Sequence, residues 1–396
     1  MAAILEASLA ERARRLGIVA YEGRLIHGAQ PGITDATIVE IERHCRGPLP
    51  DGLKALWRCS FGGSIDYDLE ATFGDSVVEF SFTELFYPGS EGYRDLWGWI
   101  EHEAELAERA AERDRRKFDG RLNYLPFGGF EHADRLYVCV EPGPDFGSVH
   151  AWMQGLPPGW VLRLNEDRVS RIADDIPSLF KLLDLASDPF NEGGEQFAMG
   201  EQLAAIIEEV SNDDLPLADA LRSIVRGAVV DWRGALASGT IAGNPRLRRV
   251  AMRNAITRDD RELLSELEAA KCSFDEPLRA TGNALDLALA LGKVELAELF
   301  LAKGVSALNA VRNGAHKAPA GLVLRLLKAG SRADGFAARS AALAGLHESA
   351  VLIASALTRE ERSKLIRDLD PDKSQAKWKA IEMLRDACLA MDRRRQ

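Results

Sequence analysis

The chain has 396 residues, of which 46% are hydrophobic and 28% charged, and its formal net charge is −11. This apolar content excludes a wholly disordered protein, and the length is sufficient for two or three domains. No run approaches the roughly eighteen apolar residues of a transmembrane helix. The charged residues 1–16 are not typical of a secretory signal. Five scattered cysteines do not indicate a disulfide framework or a zinc site. We therefore expect a cytoplasmic protein that does not enter a membrane.

Charge, aromatic residues and alanine are unevenly distributed about residue 190. Residues 1–190 contain 20 Lys and Arg against 32 Asp and Glu, a net charge of −12, whereas residues 191–396 contain 30 against 29, a net charge of +1. The first part also holds 22 of the 28 aromatic residues, and the second part holds 38 of the 56 alanines. Because aromatic residues favour strands and alanine favours close-packed helices, this distribution predicts two units of different architecture.

Two helices are predicted near the start of the chain. Residues 35–46 have helical periodicity, with Thr34 or Asp35 as the N-cap and a Gly-Pro pair at the end. Residues 50–58 follow with apolar side chains on one face. We expect Trp57 on this face to pack in the core.

An antiparallel sheet is predicted from residue 76 onward. Residues 76–82 alternate as a strand, and a charged helix over 93–117 provides either a solvated face or a docking surface. Further strands are predicted at 124–129, 135–140, 147–152 and 160–164, followed by a closing helix at 174–183. This order predicts an α+β domain, in which helices lie on one side of an antiparallel sheet.

Three stretches of the first part carry a family resemblance. Residues 49–63 (LPDGLKALWRCSFGG), 124–152 (YLPFGGFEHADRLYVCVEPGPDFGSVHAW) and 172–183 (IADDIPSLFKLL) resemble, in order and spacing, the signature stretches of the SUKH superfamily. That family includes fungal cell-wall synthesis regulators and many bacterial immunity proteins that neutralise a cognate toxin. The resemblance covers most of residues 35–185 and implies a protein-binding domain. The helix at 93–117 departs from the family pattern as an insertion or an enlarged loop.

Six residues of these stretches are predicted to shape the fold. The glycines mark positive φ angles or tight turns, and the tryptophans are expected in the core, with a ligand-binding role as the alternative. These residues are Trp57, Gly62, Gly63, Pro126, Gly128 and Trp152.

Acidic residues cluster after the glycine pair, and three interpretations of them stay open. Carboxylates at alternate positions suit a cation, but no glycine-centred loop or distal Glu follows at the spacing of an EF-hand. A polar strand face and an acidic recognition surface are the other two. The resemblance adds the acidic residue that follows LPFG in the family, matched loosely by Glu131 or Asp134. The candidate partner-binding residues are Asp66, Asp68, Glu70, Asp75, Glu131, Asp134 and Asp145.

The second part contains a repeat of short helix pairs. Residues 283–306 read as two helices that end at Gly292 and Gly304. A shift of 26 residues places Gly330 at the position of Gly304, and a shift back of 32 reaches Cys272. Such pairs bury their faces only by stacking on one another.

One copy resembles an ankyrin repeat. Residues 283–288 (NALDLA) occupy the place of the Thr-Pro-Leu-His-x-Ala motif of that family, and the resemblance covers about residues 246–357. The 26-residue spacing is shorter than the ankyrin period, so a generic α-solenoid stays open. The predicted fold is thus an α+β domain followed by an all-α ankyrin-like solenoid. The predicted parts are a SUKH-like domain (1–190), a helical bridge or cap (191–245), ankyrin-like repeats (246–358) and C-terminal capping helices (359–396).

No known catalytic motif occurs in the sequence. There is no GxxxxGK[ST], GxSxG, HExxH or CxxC pattern, and the seven histidines are dispersed. His44, Cys45 and Cys59 come nearest to a cluster, but adjacent helical residues diverge by about 100° and are poor partners for one centre. We therefore expect a protein that is not an enzyme and has no cofactor and no metal. An unfamiliar enzyme is a further hypothesis.

The expected function is that of an immunity protein. An acidic, aromatic-rich domain can bind a basic toxin and block it by occlusion. The alternative is a regulatory or scaffold protein that uses the SUKH-like domain and the repeats to bridge endogenous partners. Nucleic acid is not expected as a partner because phosphates repel a domain of net charge −12, and residues 393–395 are expected to be a solvated basic tail. The oligomeric state stays open.

Overall fold

A computed structural model describes residues 5–74, 76–89, 95–130, 134–153, 169–191, 199–278, 282–369 and 378–393. The chain divides into two compact units, Met1–Val230 and Asp231–Gln396. The first unit contains 22 Lys and Arg against 40 Asp and Glu, a net charge of −18, and the second contains 28 against 21, a net charge of +7. The division at residue 230 therefore separates the charges more sharply than a division at residue 190.

An antiparallel sheet forms the centre of the first unit. Eight strands of the described residues are hydrogen-bonded in the order β1-β2-β3-β6-β7-β8-β9-β10, and β4 and β5 form a separate hairpin. The strands are β1 (Ile18–Tyr21), β2 (Arg24–His27), β3 (Gly63–Ser64), β4 (Glu70–Phe73), β5 (Ser76–Glu79), β6 (Glu84–Leu85), β7 (Tyr124–Phe130), β8 (Asp134–Cys139), β9 (Val149–Met153) and β10 (Val169–Ala173). The strand predicted at 160–164 lies outside the described residues.

Seven described helices accompany this sheet. The predicted cap at Thr34 is confirmed, since its hydroxyl accepts a hydrogen bond from the backbone N–H of Thr37. The helices are α1 (Ala7–Arg15), α2 (Asp35–Glu42), α3 (Asp51–Cys59), α4 (Leu96–Arg113), α5 (Ile176–Leu182), α6 (Glu201–Asp213) and α7 (Leu215–Gly227).

Helices cover both faces of the sheet, which corrects the one-sided arrangement predicted from the sequence. Leu136 and Val138 of β8 belong to the main core together with Trp57 of α3 and Phe180 of α5. Alternate residues of a strand point to opposite faces, so Tyr137 points away from that core. There it packs in a smaller cluster with α4, the helix predicted to be an insertion or an enlarged loop.

Two adjacent glycines connect α3 to the sheet. Gly62 and Gly63 have φ angles of +123° and +131°, as the sequence predicted. A Cβ atom on Gly62 would lie 2.5 Å from the ring of Tyr87, and one on Gly63 would lie 2.7 Å from Ile26. Both the backbone angle and the lack of space therefore require glycine here.

Helices α6 and α7 are part of the first unit, although the sequence assigned them to a bridge. Leu203 and Ile207 of α6 and Leu217 and Leu221 of α7 are buried in the same core as the sheet residues. Their apolar faces thus close the first unit.

The described regular elements of the second unit are all helical. A short 3-10 helix spans Ile241–Gly243. No helix in the described part of the chain combines the length and apolarity needed to cross a membrane. The helices are α8 (Trp232–Ala237), α9 (Pro245–Arg258), α10 (Arg261–Ala269), α11 (Ala284–Ala290), α12 (Val294–Ala302), α13 (Ala310–Gly314), α14 (Ala320–Lys328), α15 (Gly335–Leu343), α16 (His347–Ala356), α17 (Arg359–Asp368) and α18 (Trp378–Arg393).

Helices of the second unit end in a repeated way. Lys271, Gly304 and Gly330 follow α10, α12 and α14 with left-handed φ angles of +62°, +81° and +93°. Lys271 and Gly304 are 33 residues apart and Gly304 and Gly330 are 26 apart. Gly292, with a φ of +73°, ends α11 in the same conformation. After Lys271, Gly304 and Gly330, the backbone N–H of the next residue donates a hydrogen bond to a carbonyl oxygen of the preceding helix. The donors and acceptors are Cys272 and Leu267 (2.9 Å), Val305 and Phe300 (3.1 Å), and Ser331 and Leu326 (3.0 Å).

Candidate functional site

The predicted acidic surface does not include Asp66, which corrects the sequence-based expectation. Its side chain is buried, with 6% of the residue exposed. Oδ2 accepts hydrogen bonds from the backbone N–H groups of Gln202 at 2.8 Å and Leu203 at 3.1 Å. These amides belong to the first turn of α6, where free N–H groups need acceptors. Asp66 therefore caps a helix and presents no charge to a partner.

Asp68 and Asp134 also hold the fold together. The backbone of Asp68 exchanges two hydrogen bonds with Asp184, at 2.8 and 3.1 Å, and its Oδ2 accepts one from the N–H of Ala186. Asp134 is 9% exposed, its Oδ2 accepts a hydrogen bond from the N–H of Ser81, and burial raises the pKa of its carboxyl. The carboxylate of Asp134 is therefore not part of an open surface, and Asp68 is half-buried, with its carboxylate bonded to the backbone.

The other predicted acidic residues are dispersed. Glu70 lies in β4 opposite Glu79 of β5. Asp145 is exposed and forms an ion pair with Arg171 at 2.7 Å. Asp75 and Glu131 lie outside the described residues. Among the described residues no three His, Cys, Asp or Glu side chains lie close enough together to hold a metal ion. The set proposed from the sequence is thus not one surface.

A groove in the first unit brings together residues that sequence analysis missed. It has a volume of about 610 Å³, and its walls belong to α6 and α7. Exposed carboxylates stand on both walls, since the side chains of Glu208 and Asp219 are 74% and 63% exposed. The lining residues are Pro189, Phe190, Ala204, Ala205, Glu208, Asp219, Arg222 and Arg226.

Ion pairs set the electrostatics of this groove. Arg222 bridges the two walls, at 3.1 Å from Glu208 and 2.9 Å from Asp219. Arg226 pairs with Asp188 at 3.0 Å. Both guanidinium groups lie over the ring of Phe190, at 6.0 and 5.4 Å from its centroid. Three carboxylates thus hold two arginines in place over one aromatic ring, and at least two of the carboxylates remain accessible to a partner.

A buried charged stack lies on the α4 face of the sheet. The guanidinium carbon of Arg135 is 4.3 Å from the ring centroids of both Trp99 and Trp152. Oε1 of Glu103 is 3.6 Å from Nη1 of Arg135 and accepts a hydrogen bond from the hydroxyl of Tyr137 at 2.7 Å. Burial raises the pKa of Glu103, while Arg135 and Tyr137 act in the opposite direction. The stack is closed to solvent and joins α4 to the sheet.

The sulfur and imidazole groups noted in the sequence are not brought together by the described contacts. The His44 ring packs against Trp97, and the buried thiol of Cys45 donates to the carbonyl of Ile41. Burial raises the pKa of Cys45 to about 12, so this thiol is a poor nucleophile. The thiol of Cys59 donates to the carbonyl of Ala20.

A serine–histidine contact that the sequence did not predict is present in the sheet. Oγ of Ser148 lies 3.0 Å from Nε2 of His150, and both residues are buried. Burial lowers the pKa of His150 to about 4. The Ser148 hydroxyl also donates to the carbonyl of Asp145. A hydroxyl with that acceptor, directly before β9, is placed to hold the connection between β8 and β9.

No protein-family model, curated protein or solved structure matches the chain. The resemblances to the SUKH and ankyrin families therefore stay predictions. The functional proposal depends on the geometry and charge of the chain itself.

Proposed function

We propose that the protein is a non-catalytic binding protein of the immunity type, and that its first unit neutralises a basic toxin domain by occlusion. The observation that carries this proposal is the net charge of −18 on residues 1–230. A toxin that attacks nucleic acid needs a basic active site, and a strongly acidic protein is complementary to it. The SUKH-like sequence pattern supports the same function. We infer a cytoplasmic location, which five free cysteines support.

The groove between α6 and α7 is the proposed contact point. Glu208 and Asp219 extend from its walls, and Phe190 is an aromatic residue of its lining. An incoming Lys or Arg side chain of the toxin displaces Arg222 and forms ion pairs with Glu208 and Asp219 in its place. Charge speeds the association, while burial of the aromatic surface slows dissociation. Occlusion of this kind requires no cofactor, no metal and no bond-breaking step.

Coexpression tests the proposed function directly. The full chain is expressed together with a candidate toxin encoded by a neighbouring gene, and cell growth is followed. We expect growth with the wild-type chain and growth arrest without it. Failure to protect, together with failure of the two purified proteins to form a complex, would overturn the proposal. A complex whose affinity does not fall as salt rises would contradict the charge-led interface.

A scaffold that bridges two partners is the second candidate. The observation that favours it is the opposite charge of the second unit, +7, which suits a partner unlike that of the first unit. We propose that helices α9–α16 form an ankyrin-like stack, which the repeated helix ends and the 33-residue spacing of Lys271 and Gly304 support. A genome neighbourhood without any toxin gene would favour this candidate over the first.

A further inference from the structure

A patch of the second unit exposes two large apolar side chains. Phe336, in the first turn of α15, is 70% exposed, which is the highest value for a large apolar side chain among the described residues. Leu308, in the loop before α13, is 44% exposed. Single exposed apolar residues are common, so the surroundings of these two decide whether they have a function.

The loops that carry these side chains are tied to each other. The backbone N–H of Arg332 donates to the carbonyl of Leu308 at 2.9 Å. The backbone N–H of Val311 donates to the hydroxyl of Ser331 at 3.0 Å. Residues 308–311 therefore lie beside residues 331 and 332, in the loop that leads to Phe336 on α15.

Three arginines accompany the apolar side chains. Arg339 is exposed and follows Phe336 by three residues on α15, so both lie on one face of the helix. Arg312 of α13 is 3.5 Å from the carboxylate of Asp334, whose other oxygen caps α15 through the N–H of Ala337. Within the described residues the structure shows no ion pair for Arg332 or Arg339. We call Leu308, Arg312, Arg332, Phe336 and Arg339 the loop patch.

We propose that the loop patch binds an acidic polypeptide segment that carries an apolar side chain. The guanidinium groups can form paired hydrogen bonds with carboxylates, and the two apolar side chains can cover an aliphatic or aromatic residue of the partner. The unit as a whole has a net charge of +7. A polynucleotide is a poorer fit, because the first unit of the same chain, with a net charge of −18, repels a long polyanion.

The loop patch is independent of the groove in the first unit. Its partner has the opposite charge to the basic toxin of the proposed function, and no residue is shared between the two surfaces. A result that contradicts one of the two proposals therefore leaves the other unaffected.

Peptide selection on the full-length protein tests the loop patch. A library of random displayed peptides is selected on the wild-type chain, and the affinities of the enriched peptides are measured by calorimetry. We expect enrichment of Asp and Glu together with Leu or Phe. The double variant Phe336→Ser/Arg339→Glu should bind these peptides at least about tenfold more weakly.

A matched control comes from the neighbouring helix α14. The double variant Leu324→Ser/Lys328→Glu also removes one exposed apolar side chain and reverses one charge, at two positions that are not part of the loop patch. It should bind the enriched peptides like the wild type. Circular dichroism of both variants checks that the fold is retained.

Four outcomes would overturn the proposal. The first is enrichment without a bias toward acidic residues or no enrichment at all. The second is an equal loss of affinity in both double variants. The third is stronger binding of single-stranded DNA than of the enriched peptides. The fourth is self-association of the chain that Phe336→Ser/Arg339→Glu abolishes, since a second copy would then occupy the patch.

Discussion

The carboxylate of Asp66 accepts a hydrogen bond from the backbone N–H of Leu203, a residue 137 positions further along the chain. This contact fixes the start of α6 against the sheet of the first unit. It also explains why an acidic residue can follow the Gly62-Gly63 turn without contributing to a recognition surface.

Replacement of Asp66 should weaken the fold and leave the surface unchanged. We expect Asp66→Ala to lower the free energy of unfolding by about 1–2 kcal/mol, because two N–H groups in the first turn of α6 lose their acceptor. Urea denaturation measures this. Asp145→Ala is the matched control, since it removes an exposed carboxylate in a surface ion pair and should cost less than about 1 kcal/mol. Unchanged stability of Asp66→Ala combined with lost partner binding would contradict the capping role.

The contributions of Arg135 and Glu103 to the free energy of unfolding should depend strongly on each other. Arg135→Met leaves the buried carboxylate of Glu103 without its cation, and we expect a loss of about 3–5 kcal/mol in the free energy of unfolding. The double variant Glu103→Gln/Arg135→Met removes both charges and should be more stable than Arg135→Met alone. Denaturant unfolding of the wild type, Arg135→Met, Glu103→Gln and the double variant gives the coupling energy. Additive losses in the double variant would show that the two side chains do not form a pair.

His150 should make the first unit sensitive to acid. Its pKa is lowered from 6.5 to about 4 by burial. The unfolded chain therefore takes up a proton before the folded protein does, and stability is lost as the pH falls from 6.5 to 4. The contribution of this one group reaches up to about 3 kcal/mol. His150→Asn should reduce the slope of stability against pH in this window, and an NMR titration that gives an imidazole pKa above 6.5 would refute the prediction.

Asp286 should have the opposite pH dependence in the second unit. Burial raises its pKa from 3.8 to about 6, against hydrogen bonds from the Asn283 backbone and the Asn313 side chain that lower it. The folded protein therefore holds the proton more tightly, and stability falls as the pH rises from 3.8 to 6. Asp286→Asn keeps an acceptor for the N–H of Asn283 and removes the charge. It should therefore abolish a pH-dependent change of up to about 3 kcal/mol in the free energy of unfolding. Thermal unfolding of the wild type and of Asp286→Asn at a series of pH values measures this change. Parallel profiles of stability against pH for the two proteins would contradict the prediction.

Local features of the fold could be predicted from the sequence because local interactions determine them. The cap at Thr34, the charged helix that became α4 and the helix ends at Gly292, Gly304 and Gly330 each depend on a few neighbouring residues. The hairpin of β1 and β2 was not predicted, although apolar and aromatic residues make up Ile18–Tyr21 and a turn with positive φ at Glu22 and Gly23 follows it.

The candidate site was harder to predict because its contacts join distant parts of the chain. Asp66 reaches α6, and Arg135 lies between Trp99 and Trp152, at separations that periodicity does not reveal. The acidic residues near the turn were therefore assigned to a surface when part of them is buried. The spacing of Asp219 and Arg222, three residues apart on α7, is a signal that could have directed attention to the groove.

Calorimetric titration of the full chain with an inactive form of a toxin against which it protects measures whether the groove binds a basic partner. Glu208→Lys/Asp219→Lys reverses two charges in the groove, and Glu101→Lys/Glu105→Lys makes the same change on the exposed face of α4. We expect the groove variant to bind at least about tenfold more weakly and the α4 variant to bind within about twofold of the wild type. Equal affinity of the groove variant and the wild type would contradict the account.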